Sequence, residues 1–348
     1  MLRENKKKIA LCSYTFWPIL GGLETFSQLL AEYFLKKGHE VVLITTTLYN
    51  NKVEPFPYKL FRNPDTISLL KVYNWADVVI FNHPSLRLGW PLFFIKKKYL
   101  IIVQNWLSFK GIKGFLLRHF LQGSTSCVAI SQSIADHLPI PSQIIPNCYD
   151  DNLFFSKEES VERETDLLFV GRMEIDKGPL DLARAIKILN EEGLKLSASF
   201  VGYGPAEKDL QAYILEQRLE KQVSILGKKE ATEVAEIMRK HKILVVPSIW
   251  QEPFGIVALE GIACGCFVIG SSGGGLKEAI GHCGLLYSNG DFRELARLIK
   301  EVISHFDSYK IRLQNVNIHL EKFKKEKIGY AYGELLDKIF QTPIETSL

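Results

Sequence analysis

The sequence has no apolar run approaching the roughly 18 to 20 residues that a membrane-spanning helix requires, so no stretch of it reads as a span. It has no low-complexity segment and no repeat shorter than a domain, which argues against a solenoid or a fibre. Cysteine is sparse: Cys12, Cys127, Cys148, Cys264, Cys266 and Cys283 are scattered along the chain. That pattern excludes a disulfide framework and points to a reducing compartment. Only Cys264 and Cys266 lie close together, and no second pair follows at a metal-like spacing, so they read as small buried residues and no metal site is expected. None of the glycine-rich turns reads G-x-G-x-x-G, which counts against a dinucleotide dehydrogenase.

What remains is an ordinary globular composition. The chain has 348 residues, 47% hydrophobic and 24% charged, a length that suits two packed domains better than one. The net charge of +4 is unevenly spread. Through residue 155 there are 17 Lys+Arg against 10 Asp+Glu, whereas the remainder is net −3. Much of the excess lies in Lys96, Lys97, Lys98, Lys110, Lys113 and Arg118, interleaved with WPLFFI and GFLL. A basic, partly apolar surface of that kind suits anionic lipid; a solvated face over core residues is the alternative. The opening KKKIALCSYTFWPILGG has the lysines and apolar stretch of a secretory signal, but Ser13, Tyr14 and Thr15 interrupt it and no A-x-A site follows. It reads as a first buried strand.

Short β-like runs alternate with helical ones, as in parallel sheets built from βαβ units. KKIALCSY, EVVLITTT, DVVIFN, YLIIVQNW and SCVAIS are the first set. Between the first two, Leu23, Phe26, Leu29, Leu30, Tyr33 and Phe34 share one helical face and Gly38 closes the helix. After the polar SKEESVERETD at 156–166, which suits a linker, the rhythm restarts with LLFVGR, LSASFVG, VSILG, ILVVPS and CFVIGS. Two doubly wound Rossmann-like domains follow, at 1–158 and 159–320. The segment 321–348 is expected to be helical and to dock back on the first domain.

In open parallel sheets, ligands bind beyond the carboxyl ends of the strands. Gly21 and Gly22 follow the first strand and open the long helix, where free amides can meet a phosphate; a tight turn alone also explains the pair. FVGRMEIDKGPLDLA places Gly171, Arg172 and Lys177 between a strand and a helix, where two cations suit a diphosphate. Exposed surface charge is the alternative for each taken singly. VGYGP at 201–205 and GSSGGGLKE at 270–278 add two more glycine-rich turns.

The stretch EPFGIVALE, just after the strand-like ILVVPS, sets Glu252 and Glu260 eight residues apart. With a helix starting near Gly255, its amides face the ligand together with Glu252. Glu260 falls in the second turn, where a carboxylate can accept both hydroxyls of a vicinal diol such as ribose. An N-terminal acid that favours the helix dipole is the alternative for Glu252; it explains Glu260 less well, because that side chain would otherwise enter an apolar face.

EPFGIVALE, with FVGR…KG before it, GG…E after it and PNCYDDNLF at the junction, resembles the signature of the retaining GT-B glycosyltransferases with the E-x7-E motif, the group 1 type. The resemblance spans nearly the whole chain and is strongest from 167 to 300. It implies a GT-B fold and transfer of a sugar from a nucleoside diphosphate donor to an acceptor, with retention of configuration. By position it implies that Gly22 contacts the donor diphosphate and that Arg172 and Lys177 balance its charge. Glu252 would bind hydroxyls of the transferred sugar, the amides of Phe254, Gly255 and Ile256 would line its pocket, and Glu260 would hold the ribose. Electrostatic stabilisation of a separating charge, rather than a covalent step, would then drive transfer. The absence of any D-x-D triplet is consistent with the metal-independent transfer the family implies.

Two departures stand out. Many members of the family have a His after the strand corresponding to YLIIV, where this chain reads Gln104-Asn105-Trp106. Asn105 and Trp106 are then candidates for acceptor binding, and His83 in FNHP is the candidate to replace the missing imidazole, with a structural role as its alternative. Cys148 stands where Gly is common in the junction motif and is expected to alter that turn's backbone. The expected partners are a nucleotide sugar and a glycan or lipid-linked acceptor, with an anionic membrane surface and no nucleic acid; no further cofactor is expected. The expected location is cytoplasmic or peripheral on the inner membrane face. Two rival readings are a GT-B nucleotide-sugar epimerase and a catalytically silent nucleotide-sugar sensor or subunit.

Overall fold

The computed structural model describes residues 6–19, 21–49, 54–156 and 163–342, so most of the linker expected at 156–166 lies outside the described residues. The chain divides into two compact units, Met1–Asn147 with Lys325–Leu348, and Cys148–Lys324.

The first unit is built on β1 (Lys8–Ser13), β2 (Glu40–Thr45), β3 (Lys59–Arg62), β4 (Val78–Asn82), β5 (Tyr99–Val103), β6 (Ser126–Ala129) and β7 (Gln143–Ile144). All neighbours are parallel, in the order β3-β2-β1-β4-β5-β6-β7. β1, β4 and β5 are apolar nearly throughout because helices cover both faces of such a sheet. The helix Gly22–Lys36 buries Phe26, Leu30 and Phe34 from the predicted face, with Ser27 and Ala31 between them. It ends in a Schellman motif: Gly38 has φ +87°, its N–H donates to Leu35 O, and the His39 N–H reaches back to Phe34 O. The helix Lys325–Gln341 packs on it through Tyr332 and Phe26, whose ring centroids are 5.8 Å apart. Gly329 allows the approach, since a Cβ there would lie 2.3 Å from the Tyr33 ring.

The second unit holds β8 (Thr165–Val170), β9 (Ala198–Val201), β10 (Val223–Gly227), β11 (His241–Val246), β12 (Phe267–Ser271) and β13 (Gly284–Tyr287). This sheet is also parallel, in the order β10-β9-β8-β11-β12-β13. Its core joins Phe169, Phe200, Ile243 and Phe267 from the strands to Ile186, Leu189, Leu295 and Ile299 from helices. Strand order reverses direction at β1/β4 in one sheet and at β8/β11 in the other. Loops on either side of such a switch point part from each other and leave a crevice at the strand ends.

Among the described residues no helix is long and apolar enough to cross a membrane. All six cysteines are buried thiols outside any disulfide. Cys148 is not among the residues of positive φ, so the junction turn has no need of the glycine expected there, and the side chain simply packs inside.

Candidate active site

The two loops that flank the β8/β11 switch point carry most of the predicted donor residues. Lys177 comes from the loop after β8, and Glu252 from the loop after β11. Lys177 Nζ donates to Glu252 Oε1 at 2.7 Å, and the side chains are only 18% and 10% exposed. Ser248 Oγ donates to the same oxygen at 2.5 Å. Among the described residues no hydrogen bond falls on Oε2. The ammonium also lies 4.8 Å from the Trp250 ring centroid, a cation–π contact on its other side. Lys177 is thus held by a carboxylate and an aromatic face, positioned as a fixed positive charge.

The backbone that carries Glu252 is braced from three directions. Its carbonyl accepts from Gly275 N–H at 2.7 Å, and it forms a parallel bridge with Gly274. Gly274 has φ +76°, and a Cβ there would sit 2.1 Å from Glu252 O, so only glycine permits this approach. On the other side Asn289 Nδ2 donates to Ser248 O and Trp250 O at 2.9 and 2.8 Å while its Oδ1 accepts from Gly273 N–H at 2.8 Å. One amide side chain therefore ties the β11 loop to the β12 loop. Ile249 N–H donates to Asp176 O, which joins the β8 loop to the same frame.

The helix predicted near Gly255 runs from Ile256 to Ala263, with Gly255 at the N-cap in a left-handed conformation, φ +100°. Its first amides have no side-chain cap. Among the described residues the N–H groups of Phe254, Gly255 and Ile256 donate to no other group, so a row of free donors opens beside Glu252. Glu260 follows one turn further along. Part of its surface remains open, but the crowding around its carboxyl desolvates it, and Asp150 lies close enough to repel the charged form; together they raise its pKa to about 7. Among the described residues no cation offsets this. The group is poised to accept hydrogen-bond donors that would stabilise its ionised form.

Arg172 is placed differently. It is 62% exposed on its side chain and paired with Glu174 at 2.6 Å. Gly171 packs its carbonyl against Gly202, where a Cβ would lie only 1.8 Å away, and this close approach holds the ends of β8 and β9 together.

In the first unit, Gly21 is the extended N-cap of the helix beginning at Gly22. The carboxylate of Glu24 lies over this turn: Thr15 Oγ1 donates to its Oε1 at 2.5 Å, and Oε2 sits 2.7 Å from where a Gly21 Cβ would be. A phosphate there has to displace Glu24, a residue the sequence reading passed over. His83 follows β4 with φ +75°, strained for a side chain other than glycine. Its Nδ1 accepts from Gln104 N–H at 3.4 Å, which leaves the proton on Nε2. Burial lowers its pKa to about 4, so near neutral pH it is an uncharged hydrogen-bond donor. Gln104 itself is buried: its Nε2 donates to Asn82 Oδ1 and its Oε1 accepts from Asn147 Nδ2, at 2.9 and 2.8 Å. Asn82 continues to Ser27 and Ser27 to Ser13, a polar chain beneath the β1/β4 switch point. Asn105 is exposed, with Oδ1 turned back to Trp106 N–H, and the Trp106 ring meets His137 at 5.3 Å.

Two parallel α/β units of this kind make the GT-B fold. Solved structures share the fold: the Anabaena protein HepE in complex with UDP and glucose matches with a TM-score of 0.79 at 20% identity, over 95% of this chain and 99% of that one. Residues 150–314 match the family profile of the glycosyl transferases group 1. A glycosyltransferase of Methanocaldococcus jannaschii is 29% identical over 74% of this chain and 76% of its own length. The N-acetyl-alpha-D-glucosaminyl L-malate synthase of Bacillus anthracis is 28% identical over 94% of this chain and 96% of its own.

Proposed function

We propose that the chain transfers a sugar from a nucleoside diphosphate sugar to an acceptor hydroxyl, with retention of configuration and without a metal ion. The arrangement at the β8/β11 switch point carries this reading: a fixed Lys177 charge, a carboxylate at Glu252, unpaired amides at 254–256 and the diol-accepting Glu260. The bond from the anomeric carbon to the β-phosphate oxygen breaks, and the diphosphate leaves with the negative charge. Lys177, the helix amides and Arg172, once released from Glu174, oppose that charge as it develops. The acceptor oxygen bonds to the anomeric carbon from the same face, and its proton passes to the departing phosphate oxygen. Glu252 Oε2 is the acceptor for hydroxyls of the transferred sugar. Glu260 takes the ribose diol. The loop GKKE at 227–230 selects the base, beside Tyr203, whose exposed ring carries Lys228 at 5.6 Å.

In the first unit, Asn105, Trp106 and His83 serve the acceptor, His83 as a neutral Nε2–H donor rather than a base. Gly21 and Gly22 offer amides for a phosphate if Glu24 turns aside. A membrane-bound acceptor is favoured by the helix Gly111–Gln122, which exposes Ile112, Phe115 and Leu116, 82%, 60% and 41% open to solvent, near Phe94 at 81%. Lys96, Lys110, Lys113 and Arg118 are exposed basic residues of the same region. Lys97 and Lys98 are not free for lipid headgroups, because they donate to the carbonyls of Ala76 and Phe340. We infer an inner-leaflet, cytoplasmic location from this surface, and vesicle binding that ignores both anionic lipid and Phe115→Ser would remove it.

The test of the transferase reading is product analysis by proton NMR with UDP-, GDP- and ADP-sugars, with a chelator present and without acceptor. Slow release of one nucleoside diphosphate and of the sugar as its original anomer supports it. Epimerised donor would favour the epimerase, and tight binding with no turnover, then or after acceptors are added, would favour a sensor.

A further inference from the structure

The second unit also gathers three metal-ligating side chains that sugar transfer does not use. His282 and Cys283 lie in the turn between the helix Leu276–Ile280 and β13, and His319 in the helix Val316–Leu320. One ligand atom from each, a ring nitrogen of either histidine and Cys283 Sγ, lie within 4.8 Å of one another. Cys283 and His319 are buried, whereas His282 is exposed. The two imidazoles meet edge to face with centroids 5.5 Å apart.

The surroundings of His319 fit a ligand. Its Nε2 lies 2.8 Å from Ala279 O, and a carbonyl only accepts, so Nε2 carries the proton and the lone pair of the neutral ring sits on Nδ1. A backbone carbonyl that fixes the tautomer in this way is the usual companion of a metal-bound histidine. Gly281 makes room for the ring: with φ +54°, a Cβ there would fall 2.5 Å from His319 Cε1 and 2.9 Å from Nδ1.

We propose that His282, Cys283 and His319 form a zinc site. Two imidazoles and a thiolate are borderline-soft donors that suit Zn2+ and not the hard, oxygen-seeking cations. Tetrahedral zinc sets its ligand atoms about 3.3 to 3.7 Å apart, as its bond lengths require. The cluster therefore has to contract slightly, and the exposed His282 can turn inward to do so. Water takes the fourth position on the His282 side. The spacing along the chain hid this set, because His319 comes from a distant helix. The metal pins the turn after Leu276–Ile280, whose other end begins at Gly275, the residue that donates to Glu252 O. Its effect on donor binding rests on the transferase reading; metal binding itself does not.

The experiment is titration of the metal-free full chain with Zn2+ against a chromophoric chelator, and with Co2+ read for a thiolate-to-cobalt charge-transfer band. One equivalent bound below micromolar, with that band, is expected. His282→Ala removes an exposed ligand without disturbing the core, and should weaken zinc by at least about tenfold; Cys283→Ser, with folding verified by circular dichroism, should abolish the band. Binding weaker than micromolar, or an affinity unchanged by His282→Ala, overturns the proposal whatever the donor assays show.

Discussion

Replacing Glu260 with glutamine separates the cost of its carboxylate from its use. The folded protein raises this group from 4.5 to about 7. A raised pKa means that the stability it permits is complete below pH about 4.5 and is lost as pH rises through about 7. At 1.36 kcal/mol per pH unit, ionisation above pH 8 costs the fold about 3 kcal/mol, an upper figure because Glu260 keeps part of its surface in water. Glu260→Gln has no such charge. Urea unfolding of the second unit should show parent and variant differing little at pH 4.5, with the variant gaining up to about 3 kcal/mol by pH 8.5. Donor affinity should move the other way. A diol donating to a carboxylate makes charge-assisted hydrogen bonds worth about 1.5 to 3 kcal/mol each, so glutamine should weaken donor binding by roughly ten- to a hundredfold at pH 8. In the parent, affinity should fall as pH drops below 7, since the bound form is ionised. A stability difference between the two proteins that does not change with pH would refute the reasoning.

Other substitutions probe the frame. Glu252→Gln keeps the shape but leaves Lys177 without its counter-charge; kcat/KM should fall by on the order of a hundredfold with the circular dichroism spectrum unchanged. Gly274→Ala forces a left-handed alanine against Glu252 O and should cost more than about 1 kcal/mol in urea unfolding while lowering kcat/KM. Asn289→Ala frees the Ser248 and Trp250 carbonyls from their shared donor; it should reduce kcat/KM by about tenfold or more, and undiminished activity would remove Asn289 from the supporting frame.

The sequence made the repeated strands legible because a parallel sheet covered on both faces demands uninterrupted apolar runs, as in IALC, VVIF and ILVV. The strands it did not reveal are β3, β7 and β13. Each lies at or near a sheet edge, where Lys59 and Gln143 face water and the run is four residues or fewer. EPFGIVALE was readable because strand, turn and helix are local, so spacing alone puts Glu252 at the helix start and Glu260 one turn along. Ser248 lies within that local stretch, but nothing in the sequence tells that its hydroxyl meets Glu252. Asn289 and the Gly274 approach depend on contacts between loops distant in sequence. The exposure of Arg172 and the backbone bonds of Lys97 and Lys98 were hidden for the same reason: a cation's partner is a fact of packing. Gln104 stands in the run where the family often has its His, and its place in a buried polar chain is likewise a fact of packing.

The central claim is that the β8/β11 switch point binds a nucleoside diphosphate sugar through Lys177, Glu252 and Glu260. Calorimetric titration of the intact chain with UDP-, GDP- and ADP-sugars tests it directly. The account predicts that one of them binds at one site per chain and that Lys177→Ala weakens it by on the order of a hundredfold, the loss of a charge-assisted contact to the diphosphate. Binding by none of the three, or equal binding by Lys177→Ala, would contradict it.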